Sequence, residues 1–454
     1  MRKFIVSLVI LSLLALSLPA RPAVAQAPNP LEGCVPASVP GAVLCNPAGA
    51  TDWIIFVHGY VPAGAPPGAA WLQLVLPDGQ TIPQLVNGLG YGFAAAEFGK
   101  KNGLAIQEGV ADTLALANAL KTPTNHIYLF GASEGGLITT LISEGNGAFV
   151  NGLTNPISGA VSACGPNGDF RKQVDYFGDF RVLFDYFFRG VLPGSKWDGH
   201  LGGFTPVNVD PEVTADWISP LFGGVSTYRS LVTAAIANPA NAGKVEQLMR
   251  TAKAAVDPAN PATAVVTALS VLNYDVVGIN DATNTLGVQP FTNTRTWYFG
   301  SSNDFLLNNP LLGVERIRSN DALINQQIAP YQTTGRLTRP LVTIHTTLDP
   351  EVPIWHQILY RLKVWTRGSA ALYSGIPIPR YGHCNFKPEE VAFAFYLMVF
   401  KSVGLRFSAS QVAQALPDAA SQAGFEALQR QFSADDALNG PPPVQIFIPL
   451  ITNP

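Results

Sequence analysis

Short, continuous apolar runs alternate along this chain with stretches whose apolar residues fall at helical spacing. Trp53-Ile54-Ile55-Phe56-Val57 is the first such run after residue 50, and it ends at His58-Gly59. Its length and β-branched content predict a strand buried on both faces. Runs at 91–98, 126–130 and 157–163 predict further core strands. Between them, Ile106–Leu120 keeps its apolar residues at helical spacing with no Gly or Pro after Gly109, and 137–142 opens another helix. Strands alternating with helices predict a parallel sheet with both faces covered.

The rhythm breaks after residue 164. The stretch 165–338 holds aromatic clusters such as Phe184, Tyr186, Phe187 and Phe188, and a helical pattern over 231–256 that Pro239 must interrupt. It resumes with a strand at 341–345, a helix at 354–365, a strand at 370–373 and a helix over Pro388–Val403. The expected fold class is therefore α/β, a mostly parallel central sheet with a large, mainly helical insertion before the 341–345 strand. The expected organisation is one domain from 26–164 and 339–438, with 165–338 as the insertion or cap over the C-terminal edge of the sheet. Within it, 26–50 reads as loop with short edge strands around Cys34 and Cys45, and 404–438 as a helical extension. The end, 439–454, is a Pro-rich linker (Pro441, Pro442, Pro443) acting as a stiff spacer, followed by an apolar tail.

Composition narrows the class. The chain has 454 residues, 47% of them hydrophobic, so a sizeable core is available. Charged residues make up 13%, about half the usual share for a soluble domain. A formal net charge of -3 argues against a nucleic-acid partner. Arg2 and Lys3, the apolar run 4–18 and the small-x-small site Ala23-Val24-Ala25 predict a signal peptide over 1–25 and a mature start at Gln26. The expected location is secreted or extracytoplasmic, and no later run reads as a transmembrane segment. Export permits disulfides. The four cysteines allow three pairings; Cys34 with Cys45 would close a small hairpin and leave Cys164 with Cys384. No Cys-x-x-Cys, His-Glu-x-x-His or calcium-loop pattern occurs, so neither a metal nor a cofactor is expected.

Gly131-Ala132-Ser133-Glu134-Gly135 carries the strongest chemical signal. An apolar strand runs into this G-x-S-x-G pentapeptide and a helix follows, the setting in which a serine hydroxyl is exposed on a sharp strand-to-helix turn. Such a hydroxyl is a weak nucleophile and needs a base. Chain order in this arrangement runs serine, acid, histidine. His58 and His126 precede Ser133, His200 lies in the insertion, His345 is inside a strand and His356 is on a helix close after the acid. His383, between the last strand and the last helix, is the candidate base. Asp349, following the 341–345 strand, is the candidate acid that fixes the imidazole tautomer, with Glu351 as substitute. The oxyanion needs two backbone donors, expected at the amides of Glu134 and of Tyr60 in the His58-Gly59-Tyr60 loop, with His58 bracing that loop.

These motifs together resemble the α/β-hydrolase superfamily over about 52–164 and 339–403. Leu348-Asp349-Pro350-Glu351-Val352-Pro353 and Gly382-His383-Cys384 resemble segments of secreted esterases and prolyl-oligopeptidase-like hydrolases. The His383-Cys384 pair also resembles the tannase and feruloyl esterase family, in which the cysteine after the catalytic histidine bonds one before the nucleophile. Here Ala132 precedes Ser133, so Cys164, at the end of the neighbouring strand, takes the corresponding place. The resemblance implies a secreted serine hydrolase cleaving carboxylic esters, small or polymeric, with an apolar or aromatic group suggested by the insertion. The alternatives are a secreted serine peptidase of prolyl-oligopeptidase-like type and a non-catalytic surface-binding protein on the same scaffold.

Overall fold

Ile54 and Phe56 face one side of strand β3 (Trp53–Val57), Ile55 and Val57 face the other, and all four are buried. This strand therefore lies inside a sheet covered on both faces, as its unbroken apolar run requires. The computed structural model describes residues 29–434, apart from 47–48, 67, 100–102, 146 and 197–210. The signal peptide read at 1–25, the linker and tail at 439–454, and His200 fall outside the described residues.

Among the described residues eight strands form one sheet: β1 (Val35–Pro36), β2 (Ala42–Cys45), β3, β4 (Gly92–Ala96), β5 (Ile127–Ala132), β6 (Gly159–Ala163), β7 (Leu341–Leu348) and β8 (Tyr373–Tyr381). Their spatial order is β1–β2–β4–β3–β5–β6–β7–β8. β1 and β2 make the antiparallel edge hairpin expected around Cys34 and Cys45, and every pairing from β4 to β8 is parallel. Parallel neighbours need crossovers, and α2 (Ile106–Leu120) and α3 (Glu134–Glu144) supply two of them. α1 (Ile82–Gly88) precedes β4; its start is a capping box in which Thr81 accepts from the Gln84 amide.

The two faces have separate cores. Ile55, Val57 and Leu129 pack with α2, α3 and the insertion, whereas Ile54, Phe56 and Phe130 pack with α1 and the Pro388–Val403 helix. Every residue of α3 is buried, so the helix behind the pentapeptide is clamped all round. Fixing that helix fixes the position of Ser133 at its head.

The insertion shares the first core rather than enclosing one of its own: Phe180, Phe184, Leu248 and Val271 belong to it. Its leading helix, α4 (Phe170–Phe187), is capped by Asp169, which accepts from the Arg171 and Lys172 amides at 3.0 and 3.3 Å. The fully buried Arg181 guanidinium pairs with Asp185 at 2.8 Å and with Asp275 at 3.4 Å. Removing one partner from such a buried set would strand a charge, at a cost of about 3–5 kcal/mol. The link pins a π-helical turn, Tyr274–Ile279, against α4. The helical pattern over 231–256 is interrupted at Pro239, giving helices Thr227–Ala237 and Ala242–Ala252. The sequence reading set aside any later membrane span. By length and composition Thr263–Leu286 (24 residues) is long and apolar enough for one, yet half of its most apolar window is buried inside the protein. Asp275 and Asp281 break up its apolar run in the sequence.

One strand was misplaced. The run at 370–373 was expected to be the last strand; 370–372 is a 3-10 turn and β8 begins at Tyr373. Pro377 and Pro379 hid the real strand. Both point to solvent while Ile376 and Ile378 are buried, and β8 is the edge strand, where missing amide donors are tolerated. The correction shortens the connection from β8 to His383. The extension after 404 contains helices Ala409–Ala415 and Ala419–Ala434.

Candidate active site

Ser133 sits between the end of β5 and the start of α3 with φ 55° and ψ −120°, a strained backbone for a residue with a side chain. Its amide donates to Ala163 O at 2.9 Å. The flanking glycines are required by close approach: a Cβ on Gly131 would collide with the Gly135 carbonyl, and one on Gly135 with the Val57 carbonyl. A Cβ on Gly59 would lie 2.9 Å from both Ala132 O and Ser133 Cβ. The loop after β3 can therefore approach the serine only because residue 59 is glycine.

That loop is braced from two sides. His58 stacks on Phe98 with ring centroids 3.8 Å apart and its Nδ1 lies 2.8 Å from Gly59 O. Burial lowers the His58 pKa, against opposing effects of Gly59 and Glu97. Gln73 accepts from the Gly59 amide at 2.6 Å and donates to Tyr60 O at 3.3 Å. Among the described residues the Tyr60 amide makes no hydrogen bond and so is open to an acceptor. The Glu134 side chain turns aside to accept from the Ala105 amide at 2.8 Å.

The candidate acid and base meet at the same edge of the sheet. Asp349, 1% exposed, accepts the Glu351 and Val352 amides on Oδ1 at 2.9 Å each. Its other oxygen, Oδ2, lies 2.8 Å from His383 Nδ1. Asp349, not Glu351, thus faces Nδ1, and Glu351 Oε2 lies 3.7 Å from Nε2 on the opposite edge of the ring. No hydrogen bond joins Ser133 Oγ to His383, and the bond between a serine and its base is often long outside the reacting complex. Burial alone would lower the His383 pKa, but the carboxylates of Asp349 and Glu351 outweigh it and raise it to about 9.

The other histidines have other hydrogen-bond partners, although His345 Nε2 also lies 3.6 Å from Asp349 Oδ2. His345 lies within β7 with Nε2 2.7 Å from Val352 O. His356 is buried, bonded to the Gly168 amide at 3.0 Å and Gln173 at 2.6 Å, and burial holds its pKa well below the ordinary value. His126 faces Asp52 at 3.3 Å.

Two α4 residues invisible to the sequence reading hold the acid loop. Gln173 donates to Glu351 O at 2.9 Å, and the Tyr176 hydroxyl donates to Pro350 O at 2.8 Å. A local pattern could not have found them, because each contact spans more than 170 positions. Gln73, which braces the Tyr60 loop, was missed although its contacts span only 14 and 13 positions, because no motif marks a glutamine in that loop as a brace.

A cavity of about 80 Å³ opens beside Ser133, lined among others by Tyr60, Ile106, Phe177, Tyr274 and Val352. The lining is predominantly apolar. The Tyr60 hydroxyl is buried without a hydrogen-bond partner among the described residues. The donor atoms of Cys164, His383 and Cys384 cluster within 4.8 Å, but both sulfurs are committed to a disulfide.

Both disulfides, Cys34–Cys45 and Cys164–Cys384, are present. The second spans 220 positions and ties the loop bearing His383 to the residue after β6. Chain entropy gives at most about 5 kcal/mol for such a closure, against about 3 for the 11-position loop. Reduction should lower the melting temperature and the activity together. A Cys164→Ala/Cys384→Ala variant should reproduce the activity loss. Equal loss in a Cys34→Ala/Cys45→Ala variant would contradict a specific tether on His383.

No family model matches the sequence, and no curated protein does. Solved structures are similar to this one at low identity. Feruloyl esterase B from Aspergillus oryzae matches at 13% identity and a TM-score of 0.39, over 80% of this chain and 78% of its own. A serine hydrolase from the polyaromatic hydrocarbon-degrading bacterium Cycloclasticus zankles matches at 12% and 0.37, over 81% and 96%. Est1E from Butyrivibrio proteoclasticus matches at 12% and 0.31, over 86% and 94%.

Proposed function

We propose that this chain, an α/β-hydrolase by fold, is a serine hydrolase that cleaves carboxylic esters outside the cytoplasm through Ser133, His383 and Asp349. The observation that carries the reading is the 2.8 Å bond from Asp349 to His383 Nδ1, on the same sheet edge as a serine held at φ 55°. Extracytoplasmic action is supported by the two disulfides and by the signal-peptide pattern of the first residues.

In this reading Ser133 Oγ attacks the ester carbonyl carbon and its proton passes to His383 Nε2. Asp349 keeps the Nδ1 proton in place and stabilises the imidazolium. The carbonyl oxygen becomes an oxyanion that accepts from the amides of Tyr60 and Glu134. A donor of this kind contributes about 10²–10³ to the rate. Collapse of the intermediate expels the alcohol, protonated by His383, and leaves an acyl-serine. Water, deprotonated by the same imidazole, then releases the acid.

The apolar lining supports an uncharged aliphatic or aromatic group in the cavity, from a small or a polymeric ester. Nitrophenyl esters of graded acyl length and peptide nitroanilides separate the possibilities. Turnover of the esters, with apolar acyl groups preferred over charged ones, is expected. Preferential cleavage of nitroanilides would make the chain a peptidase, and turnover of neither would leave a binding protein.

A further inference from the structure

The atom that must receive the Ser133 proton, His383 Nε2, faces other groups. Glu351 Oε2 lies 3.7 Å away and Cys384 Sγ 3.6 Å away, while Asp349 occupies the opposite ring nitrogen. Glu351 does not stand alone: Tyr274, from the π-turn of the insertion, lies within electrostatic reach of its carboxylate, which adds to burial in raising the tyrosine pKa. We propose that Glu351, beside Tyr274, is a positioning residue that holds the Nε2 edge of His383 and releases it to Ser133 when substrate fills the cavity. The proposal rests on the serine-hydrolase reading above.

An imidazole between two carboxylates is stabilised in its protonated form. That form has no lone pair on Nε2 and cannot act as a base. The raised pKa of about 9 at His383 expresses this, since the carboxylates outweigh burial. The other titratable groups around the pair do not supply the charge. His345, 3.6 Å from Asp349 Oδ2, has its pKa lowered by burial. Burial likewise raises those of Tyr176 from α4, Tyr274 from the insertion and Tyr381 at the end of β8, keeping all three neutral.

Release follows from where Tyr274 stands. Its ring stacks on Phe177 with centroids 4.9 Å apart and planes 12° apart, and both rings line the cavity next to Ser133. An acyl or aryl group entering there presses on this pair. The next residue, Asp275, is fixed by Arg181, so displacement falls on the Tyr274 side chain and, through it, on the neighbouring Glu351. π-turns of this kind recur at functional sites. Substrate binding thereby moves one carboxylate away from the imidazole and lowers its pKa, so the Nε2 proton passes to solvent water and the lone pair is restored.

The test uses the whole protein and compares pH profiles of wild type, Glu351→Gln and Glu351→Asp. The limb of kcat/KM reports the free enzyme, and that of kcat the substrate complex. In wild type the kcat/KM limb should lie well above about 6.5, the ordinary histidine value, with the kcat limb at lower pH. In Glu351→Gln the two limbs should converge at a pH below the wild-type kcat/KM limb, held up only by Asp349, and kcat/KM at neutral pH should rise several-fold. Glu351→Asp should move the limb back toward wild type. An unchanged limb in Glu351→Gln, or a uniform loss of rate at every pH, overturns the proposal. Should that variant not fold, the wild-type histidine proton NMR titration decides, since a His383 midpoint near the ordinary value overturns it equally. A wild-type protein whose Ser133 does not react with a fluorophosphonate instead overturns the serine-hydrolase reading itself.

Discussion

Replacing Ser133 with alanine should reduce ester hydrolysis by about a million-fold, the scale seen when a serine nucleophile is lost. The substitution removes one oxygen and little else. Alanine meets the same backbone strain at φ 55°, and the amide bond to Ala163 O is kept. The fully buried α3 continues to hold the turn. The melting temperature should therefore stay close to wild type while kcat collapses. Steady-state rates on a nitrophenyl ester and a thermal melt check both halves. Wild-type activity in the variant would remove Ser133 from the mechanism. Lost activity accompanied by a lower melting temperature would make the loss structural.

Asp349→Asn should cost about 10⁴-fold in kcat with little change in fold. The amide oxygen can still accept the Glu351 and Val352 amides, so the loop keeps its shape. The new NH₂ group, however, faces His383 Nδ1 and demands an acceptor there. The imidazole proton then moves to Nε2, where it blocks uptake of the Ser133 proton. The variant should also lose most of the upward pull on the His383 pKa, because Asp349 is the larger of the two carboxylate effects. Its residual activity should depend on pH with a limb at lower pH than wild type. A mild effect here, with a collapse in Glu351→Gln, would make Glu351 the acid.

Much of the site was readable because its signals are local. The turn at Ser133 needs an apolar strand, two glycines and a helix within a few residues, and each glycine answers to a carbonyl that a side chain would strike. Asp349 and His383 could be ordered from the strands preceding them, although β8 itself was displaced by its two prolines. His58 braces the Gly59 loop, and His345 and His356 are buried behind the Asp349 loop, bonded to Val352 O and to Gln173. The insertion was legible as helical but its purpose was not. Gln173, Tyr176 and Tyr274 reach the acid loop across long stretches of sequence, and no periodicity records which side chain of a buried helix points there. Glu351 was read only as a substitute acid, because its position on the far edge of the imidazole depends on how the Asp349-Pro350-Glu351 turn folds.

The most direct measurement is the site of covalent modification by a fluorophosphonate, mapped by peptide mass spectrometry on the intact, oxidised protein. A single adduct on Ser133, formed in step with loss of esterase activity and absent from Ser133→Ala, is what the account predicts. An adduct on another residue, or full activity in protein labelled at Ser133, would contradict it.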